Sequence, residues 1–70
     1  MRSITPTEKK ILELIAEGFS TKDVSLVLAM SKFTVLSHRR NLPMKFGARN
    51  SAELVRRAIQ NKEIEIYNRK

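Results

Sequence analysis

Residues 31–47, SKFTVLSHRRNLPMKFG, decide how this chain folds. Ser31 carries a side-chain oxygen that can accept from an amide one turn ahead, so it marks a helix start. At about 100° per residue, Val35, His38, Leu42 and Phe46 fall on one flank, and Lys32, Phe33, Leu36, Ser37 and Arg40 on the other. The first flank reads as core, and the second as a surface presented to something outside the fold. Pro43 interrupts the pattern: it lacks the N–H that would reach the Arg39 carbonyl, and its ring clashes with that carbonyl. A kink or an end near Leu42 is expected, dividing an outward-reading segment, 32–40, from a positioning segment, 44–47, that carries Lys45 and a Phe46 anchor.

Upstream, Thr5-Pro6-Thr7-Glu8 combines a capping box with proline at the first helical position, where its missing N–H costs nothing. A helix over about 6–17 follows, with Ile11, Leu14 and Ile15 as its core stripe and Leu12 widening it. Ile4 can staple its start, and Gly18 can take the left-handed conformation that closes it. A second capping box, Ser20 to Asp23, opens a short helix over about 21–29 with Val24, Val27 and Leu28 available to the core. Met30 alone then precedes the Ser31 cap. Two short helices joined so tightly, the second one basic, form a helix-turn-helix. In that arrangement the first helix crosses a nucleic-acid backbone and the second enters the major groove.

Downstream of Gly47, Asn50 to Glu53 reads as a third capping box before a helix over about 51–60 with Leu54, Val55, Ala58 and Ile59 as its apolar face. Residues 61–70 form a tail in which 63–67 alternate polar and apolar, compatible with a short strand, an added helical turn or a frayed end. The expected fold class is all-α: one four-helix helix-turn-helix domain over residues 1–70.

Composition narrows the function. Seventy residues bury too little surface to enclose a large substrate cavity. With no cysteine and a single histidine, His38, neither a disulfide framework nor a metal site is expected, and nothing calls for a cofactor. No converging acid/base or nucleophile set suggests an enzyme. No apolar run approaches the roughly 18 residues of a membrane span, and the start lacks a signal-peptide core, so a cytoplasmic, nucleoid-associated protein is expected. The net charge of +7 is one-sided. Residues 1–31 hold four basic and four acidic side chains, whereas 32–57 hold seven basic ones against Glu53 alone. That is the footprint of a protein that docks on phosphates, although an acidic protein or anionic lipid would also match it.

Taken together, ITPTEKKILELIAEGFSTKDVSLVL, then MSKFTVLSHRRNL, then KFGARNSAELVRRAI resemble the LuxR/GerE-type helix-turn-helix family of bacterial transcription regulators, over roughly residues 4–59. The resemblance implies sequence-specific binding of double-stranded DNA, with the third helix reading the major groove and the fourth forming a homodimer. It places base contacts at Leu36, Ser37 and Arg40. It places phosphate contacts at Ser20, Thr21 and Lys22, at Lys32 and Thr34, and at Lys45. The physics is consistent with this: Arg40 can fork onto guanine O6 and N7, Ser37 can donate or accept, and Leu36 can offer only an apolar contact such as to a thymine methyl. The helix starts at Ser20 and Ser31 present amides and a positive dipole end to phosphate.

Arg39 cannot share the groove with Arg40 and is assigned to a phosphate or to solvent. His38 is expected to be packed, and Lys9, Lys10, Arg69 and Lys70 solvated. Leu54, Val55 and Ala58 read first as core, leaving Ala52, Val55 and Arg56 as a possible dimer patch. Two departures from the family stand out. Pro43 is expected to redirect Lys45, and Leu26, Val27, Phe33 and Leu36 are apolar where relatives often carry charge. The second departure supports an alternative, a protein-interaction module that keeps the fold but binds another regulator or RNA polymerase. A complete single-domain regulator and a domain of a longer one both fit the chain.

Overall fold

The computed structural model describes residues 4–64, which form four helices and, among the described residues, no strand. They are α1 (Pro6–Ala16), α2 (Thr21–Leu28), α3 (Lys32–Phe46) and α4 (Ser51–Gln60). Each starts on a side chain that replaces a missing helical acceptor. In α1 the Glu8 amide donates to Thr5 Oγ1 at 3.1 Å and the Thr5 amide donates to Glu8 Oε1 at 3.0 Å. Ser20 and Asp23 repeat the exchange at α2, at 3.1 and 3.4 Å. The expected box at α4 closes differently. Asn50 Oδ1 accepts from the Glu53 amide at 2.9 Å, but the Glu53 carboxylate takes the Arg49 amide, at 2.8 Å.

The helix ends are equally local. Gly18 sits at φ +93° while its amide and that of Phe19 donate to Ile15 and Leu14, each at 3.0 Å. This closure needs a left-handed residue, which glycine supplies without a Cβ penalty. Ala29 makes the same turn at φ 55° without that freedom, and the Met30 amide closes α2 onto the Ser25 carbonyl at 3.0 Å.

Of the kink or end expected near Leu42, the end does not occur: α3 runs through Pro43 to Phe46, the helix bounds expected from the sequence. The proline removes one hydrogen bond, and tertiary contacts on either side outweigh that loss. Leu42 is fully buried, Phe46 packs against the core, and the Pro43 carbonyl itself receives the Ala48 amide at 2.8 Å in the closing turn. Residues 44–47 are thus the last turn and cap of the reading helix and not a separate segment.

Helices α1 and α3 each touch the other three, whereas α2 and α4 do not touch each other, so α1 and α3 form the centre and α2 and α4 flank them. Between them lie Ile11, Leu12, Val24, Val35, Leu42, Leu54 and Ala58, all buried. Leu14, Ile15, Leu28 and Phe46 pack around this group while remaining partly exposed. Val27 departs from expectation at 56% exposed, because the buried arc of α2 is centred on Val24, Ser25 and Leu28. Ser25 tolerates burial because its hydroxyl donates to the Lys22 carbonyl at 2.7 Å. After α4 the Glu63 amide returns to the Ala58 carbonyl at 2.9 Å and Ile64 folds into the core. The rest of the alternating tail, 65–67, lies outside the described residues.

Candidate nucleic-acid interface

Burial on α3 divides cleanly. Val35 and Leu42 are inside, with His38, Arg39, Lys45 and Phe46 half-buried at the margins. The opposite arc is open: Phe33 is 86% exposed, Leu36 46% and Met44 74%, with Ser37, Arg40 and Asn41 exposed among them. The three expected base-edge residues, Leu36, Ser37 and Arg40, therefore share one accessible face. A shallow hollow lined by Phe33, Thr34, Ser37, His38 and Asn41 runs beside them.

The starts of α2 and α3 supply two electropositive points. Ser31 Oγ accepts from the Thr34 amide at 3.1 Å and lies 3.0 Å from the Thr34 hydroxyl. In both helices the cap takes the third amide and leaves the first two without helical partners. Those unpaired N–H groups and the positive dipole end suit an anion. Lys22 and Lys32 are exposed beside them, and Thr21 is half-buried.

Two of the cations expected on phosphates, Arg39 and Lys45, are half-buried. Lys45 Nζ donates to both oxygens of Glu8, at 2.7 and 2.8 Å, with side-chain exposures of 22% and 8%. Its charge ties the last turn of α3 to the first turn of α1. Arg39 is half-buried, and its Nη1 is enclosed with no hydrogen-bond partner. It does not lie on the arc that carries Ser37 and Arg40.

Glu8 is the residue that sequence reasoning missed. Its part in the capping box was legible, but its second partner is distant in the chain and carries no local signal. Burial is the largest single influence on its carboxyl and works against ionisation. The Lys45 hydrogen bond, the Thr5 amide and the charges of Lys45 and His38 together outweigh it and hold the pKa below its ordinary 4.5. Glu53 is likewise lowered, first by the Arg49 amide, against an opposing desolvation, and then by the Arg49 and Arg57 charges. Its carboxylate stands 3.4, 3.9 and 3.8 Å from the guanidinium nitrogens of Arg49, Arg56 and Arg57, so part of the basic surplus is neutralised on α4. Of the dimer candidates, Ala52 and Arg56 are exposed and Val55 is half-buried, all on or beside the outer face of α4.

Among the described residues no group of three or more His, Cys, Asp or Glu could hold a metal ion, and no helix is long and apolar enough to cross a membrane.

Comparison with known proteins places this geometry. The model of the luxR family of bacterial regulatory proteins matches residues 2–58. The transcriptional regulatory protein MctR of Rhizobium johnstonii is 38% identical over 58 residues, which cover 83% of this chain and 27% of that protein. The transcriptional regulatory protein UhpA of Escherichia coli K12 is 39% identical over 54 residues, covering 77% and 28%. The chain thus spans little more than a quarter of these relatives. In structure it is similar to the transcription factor GerE, with a TM-score of 0.86, 31% identity, and coverage of 91% of this chain and 97% of that one.

Proposed function

The chain belongs to the luxR family of bacterial regulatory proteins and forms its helix-turn-helix DNA-binding domain, and we propose that it recognises duplex DNA by laying the first two turns of α3 in the major groove. The carrying observation is the exposed arc of Leu36, Ser37 and Arg40 on α3, whose start, like that of α2 before it, is capped and electropositive. Arg40 supplies the polar reading, forked onto guanine. Ser20, Thr21 and Lys22, together with Lys32 and Thr34, fix the register on phosphates. Lys45 acts as a positioning residue: its bond to Glu8 sets the α1–α3 packing. Arg39 is left out of the direct contacts. Two copies associate through α4 at Ala52, Val55 and Arg56 and bind an inverted or direct repeat.

Family membership and the absence of a converging acid/base set in the sequence favour a regulator over an enzyme, acting in the cytoplasm at the nucleoid. One observation favours an added protein contact, to RNA polymerase or a second regulator. Leu26 is 70% and Val27 56% exposed on α2, next to each other in sequence and outside the α3 arc.

Titration of the chain against a candidate operator and an unrelated duplex across a salt series tests the reading. The expected result is a steep fall of log K with log salt and a preference for one duplex that Arg40→Ala blunts. No binding to either duplex at low salt and high protein concentration would leave the protein-interaction module.

A further inference from the structure

The outer face of α3 is unusual in being apolar where a groove-reading helix has most use for polar groups. Phe33 and Leu36 are exposed at 86% and 46%, and with Ser37 and Arg40 they fall three, four and seven residues apart on one stripe. Neither apolar side chain is spent on the core. No acidic residue occurs anywhere in α3, and the stripe is bordered by Lys32 and the α3 amino end. An apolar protein partner would have to leave Arg40 and Lys32 unpaired or solvated at the contact. A polyanion satisfies both.

Resting on the reading of α3 as the groove-entering helix, we propose that Phe33 and Leu36 are specificity-determining residues that select thymine through its C5-methyl group. The major-groove edges of adenine, guanine and cytosine offer hydrogen-bonding atoms at that surface, and thymine alone adds a methyl. Leu36 against a donor or acceptor edge would strip water from it and return no hydrogen bond, a penalty that disfavours those bases at the contacted position. Against a methyl it buries apolar surface instead. Helical rise separates Phe33 from Leu36 by about 4.5 Å and Leu36 from Arg40 by about 6 Å, against about 3.4 Å per base step. The half-site therefore carries thymines on neighbouring pairs, followed about two pairs further on by the guanine that Arg40 reads.

The test is selection of sites from a random duplex pool with the 70-residue chain, followed by affinity measurement on the best site made with thymidine or with deoxyuridine at each selected thymine. Deoxyuridine removes only the methyl. The expected result is one or two strongly selected thymines, each losing about fourfold in affinity on replacement. Leu36→Ala and Phe33→Ala should each abolish the thymidine–deoxyuridine difference at one position, with unchanged circular dichroism. Equal affinity for both duplexes, or a difference that survives both substitutions, overturns the proposal. Selected sites without thymine whose binding still depends on Arg40 overturn it while leaving the DNA reading intact. Retention of no duplex at low salt overturns both.

Discussion

Helices α3 and α4 bury the same kind of face and show opposite ones. Inward, α3 contributes Val35 and Leu42, and α4 contributes Leu54 and Ala58, all essentially inaccessible. Outward, beside the proposed Ala52, Val55 and Arg56 dimer patch, α4 presents Arg57 and Gln60, solvated as on an ordinary amphipathic helix. Outward, α3 presents Phe33, Leu36 and Met44 around Ser37 and Arg40. Folding explains both inner faces and the solvated Arg57 and Gln60 side of α4, but it does not explain the outer face of α3. What folding leaves unexplained on α3 is where function is to be sought.

The strongest test of this contrast is that the two inner faces behave alike. Leu42→Ala and Leu54→Ala should each destabilise the domain by about 2–5 kcal/mol, read from denaturant midpoints, since each empties a fully packed site. A much smaller loss at Leu42 would mean that α3 is held by something other than its core face. The outer faces should then separate the helices. Arg40→Ala is expected to weaken operator binding by about 1–3 kcal/mol with an unchanged melting temperature. Arg57→Ala should shift both quantities by less than about 0.5 kcal/mol. If the two substitutions weaken binding equally, the outer faces are not functionally distinct.

Next in size is the bond that joins α3 to α1. Lys45→Met strands a Glu8 carboxylate that is only 8% exposed, and should cost about 1–2 kcal/mol of stability. The pH dependence follows from the lowered Glu8 pKa. Because its folded value lies below the ordinary 4.5, its contribution is complete above that pH and is lost as pH falls through the folded value. Thermal melts below pH 4.5 should therefore narrow the gap between the wild-type and Lys45→Met proteins. A gap that stays constant down to the acid limit would mean that the ion pair contributes nothing.

The smallest expected effect concerns the turn that aims α3. Ala29 holds φ 55°, a conformation that costs an L-residue about 1–2 kcal/mol. Ala29→Gly removes that strain at the price of greater freedom in the unfolded chain, so a net gain of up to about 1 kcal/mol is expected. A loss would indicate that the alanine methyl makes a contact worth more than the strain.

The fold was legible because its signals are local. Thr5 with Glu8, and Ser20 with Asp23, announce helix starts within four residues, and spacing points to Ile11, Val24, Val35, Leu42, Leu54 and Ala58 as core, though it put Val27 and Ile59 there too, which stand 56% and 39% exposed. What remained hidden was non-local. The proline rule applied at Pro43 left a kink and an end both open because the packing of Leu42 and Phe46 on either side cannot be read from that position. Lys45 looked free because its partner Glu8 lies 37 residues away. The third capping box closed on Arg49 because Glu53 had a second amide within reach. For the candidate interface, spacing was enough to put Leu36, Ser37 and Arg40 on one face. It could not show that Arg39 turns inward with an enclosed nitrogen, since burial at the edge of a stripe depends on which helices flank it.

On the proposed reading the outer face of α3, and not that of α4, meets DNA. The most direct measurement is the amide chemical-shift map of the isotopically labelled chain as a short duplex operator is added. The largest changes are expected from Ser31 to Arg40 and at Ser20, Thr21 and Lys22, with Arg57 and Gln60 nearly unmoved. Largest changes at Arg57 and Gln60, outside the Ala52, Val55 and Arg56 dimer patch, or at Leu26 and Val27 with α3 unmoved, would contradict it.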